Sequence, residues 1–337
     1  MATTAAPNPE LIFGTIQSYQ RSFALKAGVD LGLFTAIGEG AANVPAIATR
    51  VAASERGVRI LCDFLSIIGL LVKSGDRYQL SPEAAAFLDK RSPAYMGSMT
   101  DFLLAPDIMR NFGDLAATVR RGTVAPQANT VAGHEQDHWI TFARAMTPMM
   151  MPAAMGIADA LNIAAAGPVK ILDIAAGHGI FGIVLAQRNP RAEVVALDWE
   201  GVLKVAAENA AKMGVADRVR PLPGDAFTVE YGTGFDIVLL TNFLHHYDPP
   251  TCTTLLRKVA AALKPGGRAV ILEFVPNDDR VTPTMPASFS LTMLSGTPAG
   301  DAYTLAELRR MCADAGFTGA VTAHSLPMPE TVVIATK

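Results

Sequence analysis

Apolar positions divide this chain into a helical beginning, an irregular middle, and an end where helix-like and strand-like runs alternate. In residues 23–37, FALKAGVDLGLFTAI, helical spacing puts Phe23, Ala27, Leu31 and Phe34 on one face, which predicts a single helix. NVPAIATRVAAS (43–54) predicts a short helix and a turn, and ERGVRILCDFLSIIGL (55–70) a longer helix. In LVKSGDRYQLSPEAAAFL, Ser74-Gly75-Asp76 supplies the turn between two short strands. Helix, turn, helix and two-stranded wing form a winged-helix pattern. Residues 101–165 read as irregular helices rich in methionine and proline.

The remainder alternates strands and helices, which argues for an α/β fold with a doubly wound, largely parallel sheet. Strands are expected near 169–174, 193–198, 219–223, 235–240 and 268–274. LKPGG (263–267) is expected to end the helix before the fifth strand, with Pro265 and Gly266 as stop signals. After a helix at 304–315 come two short runs, FTGAVTAHSL and ETVVIATK. Their closeness predicts a hairpin that puts one antiparallel strand into the sheet. The expected division is a winged-helix domain at 1–100, a helical linker contributing to a pocket at 101–165, and the sheet domain at 166–337.

Composition narrows the class. Half of the 337 residues are hydrophobic, so a large core is possible, yet no apolar run approaches the roughly 20 residues of a membrane span. The start, MATTAAPNPE, lacks the features of a signal peptide. Cys62, Cys252 and Cys312 are too scattered for a disulfide framework and suit a reducing cytoplasm. A net charge of −3 favours no nucleic-acid partner.

The segment VKILDIAAGHGIFGIVLAQRNPRAEVVALD (169–198) carries the most chemistry. It reads strand, glycine-rich turn, helix, strand, with Asp173 and Asp198 toward the strand tips. In a doubly wound sheet such tips face the ligand crevice, and the helix N-terminus offers unpaired N–H groups. Gly177, Gly179 and Gly182 spell GxGxxG, with Asp198 about 20 residues on, placed to accept from ribose hydroxyls. That spacing alone also fits a nicotinamide dinucleotide. Asp173 tilts the reading, since a carboxylate there suits a cationic amino group and would repel a pyrophosphate. Asp225-Ala226-Phe227 after the third strand could meet and cover an adenine. The closing antiparallel hairpin points the same way, toward S-adenosylmethionine.

The order DIAAGHG, LDW, GDAF, FLHHY, LKPGG, ILEF resembles the class I methyltransferases, and within them the winged-helix small-molecule O-methyltransferases. That family includes plant phenolic, acetylserotonin and hydroxyneurosporene enzymes. The resemblance covers almost the whole chain. It implies S-adenosylmethionine as cofactor, bound by Asp173, Gly177, Gly179, Asp198, Trp199, Asp225, Ala226 and Phe227. It also implies that the N-terminal domain makes a homodimer and does not read DNA.

By register the family's catalytic histidine falls on His245, and His246 replaces an aspartate. A histidine suits removal of the acceptor's proton as the methyl group arrives. His246 is read as structural. Glu273 matches the glutamate that orients the base. A second family glutamate is replaced by Ala302, with Asp301 a candidate substitute one residue away, and a family lysine by Thr241. The resemblance puts Met146 and Met293 against a flat substrate, and Phe142, Met149 and Phe289 are further candidates for the wall of an apolar pocket.

His134-Glu135-Gln136-Asp137-His138 literally matches HExxH, but its polar surroundings and lack of a third ligand argue for a solvated helix start, with no metal expected. Two rivals remain: a same-fold relative that methylates N or C, or that binds the cofactor without transferring methyl (kept open by Ala302 and Thr241), and a DNA-binding, ligand-sensing regulator. The near-balanced charge of residues 43–91, and the apolar Leu61, Phe64 and Ile67, favour a protein-contact face over a DNA-reading one.

Overall fold

The computed structural model describes residues 8–125 and 136–337. They fall into two compact units, Met1–Ala105 and Pro106–Lys337.

The first unit runs α1 (Glu10–Gln17), α2 (Tyr19–Asp30), α3 (Leu33–Gly38), α4 (Val44–Arg50), α5 (Glu55–Ile67), β1 (Leu71–Ser74), β2 (Arg77–Leu80), α6 (Pro82–Phe87) and α7 (Met99–Leu103). Side-chain caps start three of these helices. Asn43 Oδ1 accepts from Ala46 N, Ser54 Oγ from Gly57 N, and Ser81 Oγ from Ala84 N. The wing forms as expected, with Leu71 opposite Leu80 and Gly75 in the left-handed region at the turn.

The single helix expected over 23–37 is two. Gly32, at φ 67°, separates α2 from α3, and the restart rotates the apolar face. Val29, Leu33, Phe34 and Ile37 therefore enter the core, while Phe23 and Leu31 remain 48% and 39% exposed. On α1, Leu11, Ile12, Phe13 and Ile16 are all exposed, more adjacent apolar surface than a lone unit ordinarily leaves in water.

The second unit begins with α8 (Pro106–Gly113), α9 (Leu115–Arg121) and the long α10 (Gln136–Ala160). Its alternating part comprises β3 (Val169–Ile174), α11 (Ile180–Arg188), β4 (Ala192–Asp198), α12 (Glu200–Lys212), β5 (Val219–Pro223), β6 (Phe235–Thr241), α13 (Pro249–Ala262) and β7 (Leu263–Glu273). It closes with α14 (Thr284–Gly296), α15 (Leu305–Asp314), β8 (Val321–Ser325) and β9 (Thr331–Thr336). Among the described residues seven strands make one sheet in the order β5-β4-β3-β6-β7-β9-β8. All neighbours from β5 to β7 are parallel, and β9 pairs antiparallel with both β7 and β8. The closing hairpin thus puts one antiparallel strand into the sheet.

LKPGG departs from its expected role as a simple helix stop. The strand starts at Leu263, which pairs with Phe235, and the next pair is Arg268 with Ile237. Lys264–Gly267 bulge out between them. The core of this unit gathers Leu172, Ile174, Val238, Leu240, Leu256 and Val333. The strand order reverses at β3, between β4 and β6, which opens a crevice at the carboxyl ends of these strands.

Candidate functional site

That crevice holds a cavity of about 260 Å³, lined by the turn after β3, the ends of β4 and β6, residues 224–227, and α10. Gly177 sits at φ 56°, and a Cβ there would meet nothing nearer than Ala175 O at 3.9 Å. Its missing side chain keeps the cavity open to a ligand, while its N–H donates to Asp198 Oδ2 at 2.8 Å. Gly179 and Gly182 do different work. A Cβ on Gly179 would come within 2.8 Å of Ala206, and one on Gly182 within 2.7 Å of Val194 and 3.0 Å of Asp173 Oδ2. These two let α11 settle on α12 and the sheet; neither lines the cavity.

Asp173 is fully buried. Its Oδ2 accepts from Gly182 N at 3.0 Å, and its Oδ1 has no partner among the described residues. Burial pushes this carboxyl up to about 7. Asp198 accepts from Gly177 N and from Trp199 N at 2.7 Å, and burial raises it to about 6. Asp225 accepts from Phe227 N at 2.6 Å. The Phe227 ring meets Tyr247 edge-on, centroids 4.9 Å apart, giving an aromatic patch beside this carboxylate. His178 caps α11 by accepting from Ile180 N, and burial depresses it to about 4, so it stays neutral.

Among the described residues no lysine or arginine lines the cavity, whereas Asp198 and Asp225 do. A pyrophosphate would therefore face carboxylates and no cation. A ribose offering two hydroxyls, an adenine offering an amino group and a positively charged sulfur all suit it. The residues present fit S-adenosylmethionine; Asp173, whose Oδ1 is an orphaned buried acceptor, does not itself line the cavity.

The next loop follows β6. Leu244–His246 make one tight helical turn, and Glu273 at the end of β7 reaches under it. Glu273 Oε1 accepts from the backbone N–H groups of Phe243, Leu244 and His245 at 3.1, 2.8 and 3.3 Å. Its Oε2 lies 2.5 Å from His245 Nδ1. The carboxylate fixes both the loop and the ring and leaves Nε2 as the ring nitrogen it does not engage; His245, Glu273 and Phe289 do not themselves line the cavity, whereas His246 does. Phe289 meets His245 edge-on at 4.9 Å and stacks on Phe274 at 4.1 Å.

Other expected site residues are dispersed. Asp301 pairs with Arg280 at 3.2 Å and accepts from Ala302 N–H, and it does not line the cavity. Trp199, Ala226 and Phe142 line the cavity, and so does Thr241. Met146 and Met293 are buried and Met149 is half-buried, and none of the three lines it; Met150, four residues after Met146 on α10, does. His134 and Glu135 of the HExxH match lie outside the described residues.

Sequence reasoning missed Trp139, Met150, Asn242, Phe243 and Tyr247 as cavity residues. The helical spacing of 139, 142, 146 and 150 held a signal for the first two. His246, read as structural, also lines the cavity.

A strand-order reversal with acidic strand ends and a histidine–glutamate pair defines the class: a class I methyltransferase domain. An O-methyltransferase domain model matches residues 128–318, and an O-methyltransferase dimerisation domain model matches residues 13–90. The chain belongs to the S-adenosylmethionine-dependent O-methyltransferase family. The crystal structure of a provisionally assigned O-methyltransferase from Nostoc punctiforme is 46% identical, with a TM-score of 0.93 over 99% of this chain and 100% of that one. The 3-hydroxy-5-methyl-1-naphthoate 3-O-methyltransferase of Streptomyces sahachiroi is 28% identical, covering 91% of this chain and 89% of its own length. Human N-acetylserotonin methyltransferase in complex with S-adenosylmethionine shares the fold, with 22% identity and a TM-score of 0.85 over 100% of this chain and 99% of that one. Among the described residues no helix is long and apolar enough to cross a membrane.

Proposed function

We propose that this enzyme methylates a hydroxyl of a flat, apolar aromatic molecule, with His245 as general base. The observation that carries the reading is the 2.5 Å contact between His245 Nδ1 and Glu273 Oε2. Glu273 selects the tautomer that leaves Nε2 able to accept a proton, and its charge stabilises the imidazolium that results. S-adenosylmethionine supplies, when bound, a methyl group already activated by its sulfonium. Asp198 would receive the ribose, Asp225 the adenine amino group, and Asp173 a cationic part of the tail. Trp199, Ala226 and Phe227 line that end, with Gly177 giving room. Asp301 takes no part, because Arg280 engages it.

Phe289 and Phe142, with Met146, Met149 and Met293 as adaptable apolar groups, supply the acceptor's surroundings. The naphthoate enzyme of Streptomyces sahachiroi supports a fused aromatic acceptor. The exposed apolar face of α1, within an O-methyltransferase dimerisation domain, supports a homodimer. Three buried, unpaired cysteines support work in the reducing cytoplasm.

The test is methyl transfer to a panel of naphthols, scored by mass spectrometry. His245→Gln should lower turnover by about 10²–10⁴-fold while leaving affinity for S-adenosylhomocysteine nearly intact. Undiminished turnover in that variant would remove His245 from the chemistry.

A further inference from the structure

Two buried polar atoms in the cavity wall have no partner among the described residues: His246 Nδ1 and Asn242 Oδ1. Leaving such atoms unpaired in a protein interior is costly, and those that persist call for a reason.

Asn242 is the more unusual. It lies at φ 53°, in the left-handed region, immediately after β6. The side-chain amide donates only to a thioether, Met150 Sδ at 3.6 Å, and the amide oxygen accepts from nothing. A buried amide oxygen that pairs with nothing, on a residue lining the cavity, marks a residue kept for something other than packing.

His246 is boxed by rings: Trp139 at 5.7 Å, Phe243 at 6.4 Å, Tyr247 at 6.2 Å and His245 at 4.2 Å between centroids. Burial and the neighbouring His245 hold it well below the ordinary histidine range, so the ring is neutral and can pair with a neutral hydroxyl. It adjoins His245 directly and lines the cavity, which His245 does not.

We propose that Asn242 and His246 are specificity-determining residues that together receive a second hydroxyl of the acceptor, ortho or peri to the one that is methylated. The substrate class is then an aromatic diol. This deepens the reading of the site as an O-methyltransferase and rests on it. The base serves one oxygen, and the ring next to it, with Asn242, holds the neighbouring one. A mono-ol leaves both buried atoms unpaired, and sites that hydrogen-bond a substrate group discriminate strongly against analogues lacking it.

The test compares 2,3-dihydroxynaphthalene and 1,8-dihydroxynaphthalene with 2-naphthol and 1-naphthol, using the full-length enzyme and its His246→Phe, His246→Gln and Asn242→Leu variants. In the parent enzyme kcat/KM for at least one diol should exceed that of its mono-ol by about tenfold or more. His246→Phe and Asn242→Leu should bring that ratio close to one, chiefly through KM. His246→Gln, which keeps a hydrogen-bonding group, should retain part of the preference. The pH dependence of turnover and the affinity for S-adenosylhomocysteine should be unaltered in all three. Equal parent rates on diol and mono-ol, or an unchanged ratio in the variants, would overturn the inference and leave methyl transfer standing. Loss of S-adenosylhomocysteine affinity would overturn it by moving the pair to the cofactor. Transfer to no naphthol of either kind would sink the methyl-transfer reading and this inference together.

Discussion

Cofactor affinity should climb steeply with pH, because Asp198 in the cavity wall and the fully buried Asp173 on β3 are held partly protonated in the free enzyme. Asp173 lies at about 7 and Asp198 at about 6, both raised chiefly by burial. S-adenosylmethionine brings positive charge and hydroxyl donors, which favour the ionised form of each. At pH 6 roughly a tenth of Asp173 and about half of Asp198 are ionised, so about one molecule in 20 is ready to bind. At pH 8 about nine in ten are. Affinity should therefore rise about 20-fold between these values, with net proton release at the lower pH. Isothermal titration calorimetry in two buffers of different ionisation enthalpy measures both quantities. Asp173→Asn has no proton to lose, so about three quarters of the change in log Kd should vanish with it, alongside an overall weakening. A pH-independent affinity in the parent enzyme, or an undiminished slope in the variant, would refute the electrostatic argument.

The same carboxyl makes a stability prediction of opposite sense. Its folded value lies above its unfolded 3.8, so its contribution is complete below about pH 4 and is lost as pH rises through about 7. Ligand-free Asp173→Asn should then be the more stable protein at pH 8, by up to about 4 kcal/mol, and the advantage should disappear near pH 4; urea melts at both values decide it. Gly182→Ala should destabilise by about 1–3 kcal/mol, because its Cβ would press on Val194 and the Asp173 carboxylate, as a shift in thermal midpoint would show. Asp198→Ala should abolish measurable cofactor binding by calorimetry and leave the fold intact by circular dichroism. Phe13→Asp with Ile16→Asp should give a monomer by sedimentation velocity at micromolar concentration; an unchanged dimer would place the interface elsewhere.

Much of the fold was legible in the chain. The β3–β6 runs coincide with their expected positions to within a residue; for β3, β4 and β6 this is because largely buried parallel strands read as near-continuous apolar runs, whereas β5 is a largely exposed edge strand. The wing was marked by its own turn, and the acids at 173, 198 and 225 by their places at strand ends. Errors arose where a single glycine or a bulge intervened. Helical spacing continues across Gly32 even though the backbone does not, and the pattern at LKPGG cannot show that the strand begins before its bulge.

The sequence by itself determined the alternation of strands and helices, the expectation of a ligand crevice at the strand tips, and the acids that make that crevice attractive to a cationic nucleoside. These follow from local periodicity and from residues next to one another in the chain. Tertiary structure alone decided what lies across from what. Glu273 is 28 residues from His245, and only the β6–β7 pairing brings its carboxylate to 2.5 Å from the ring. Arg280 engages Asp301 in an ion pair, and α10 carries Trp139 and Met150 onto the cavity. Whether His246 is buried filling or a cavity wall with an idle nitrogen depends on where a neighbouring helix lies, and residue spacing along the chain does not encode that.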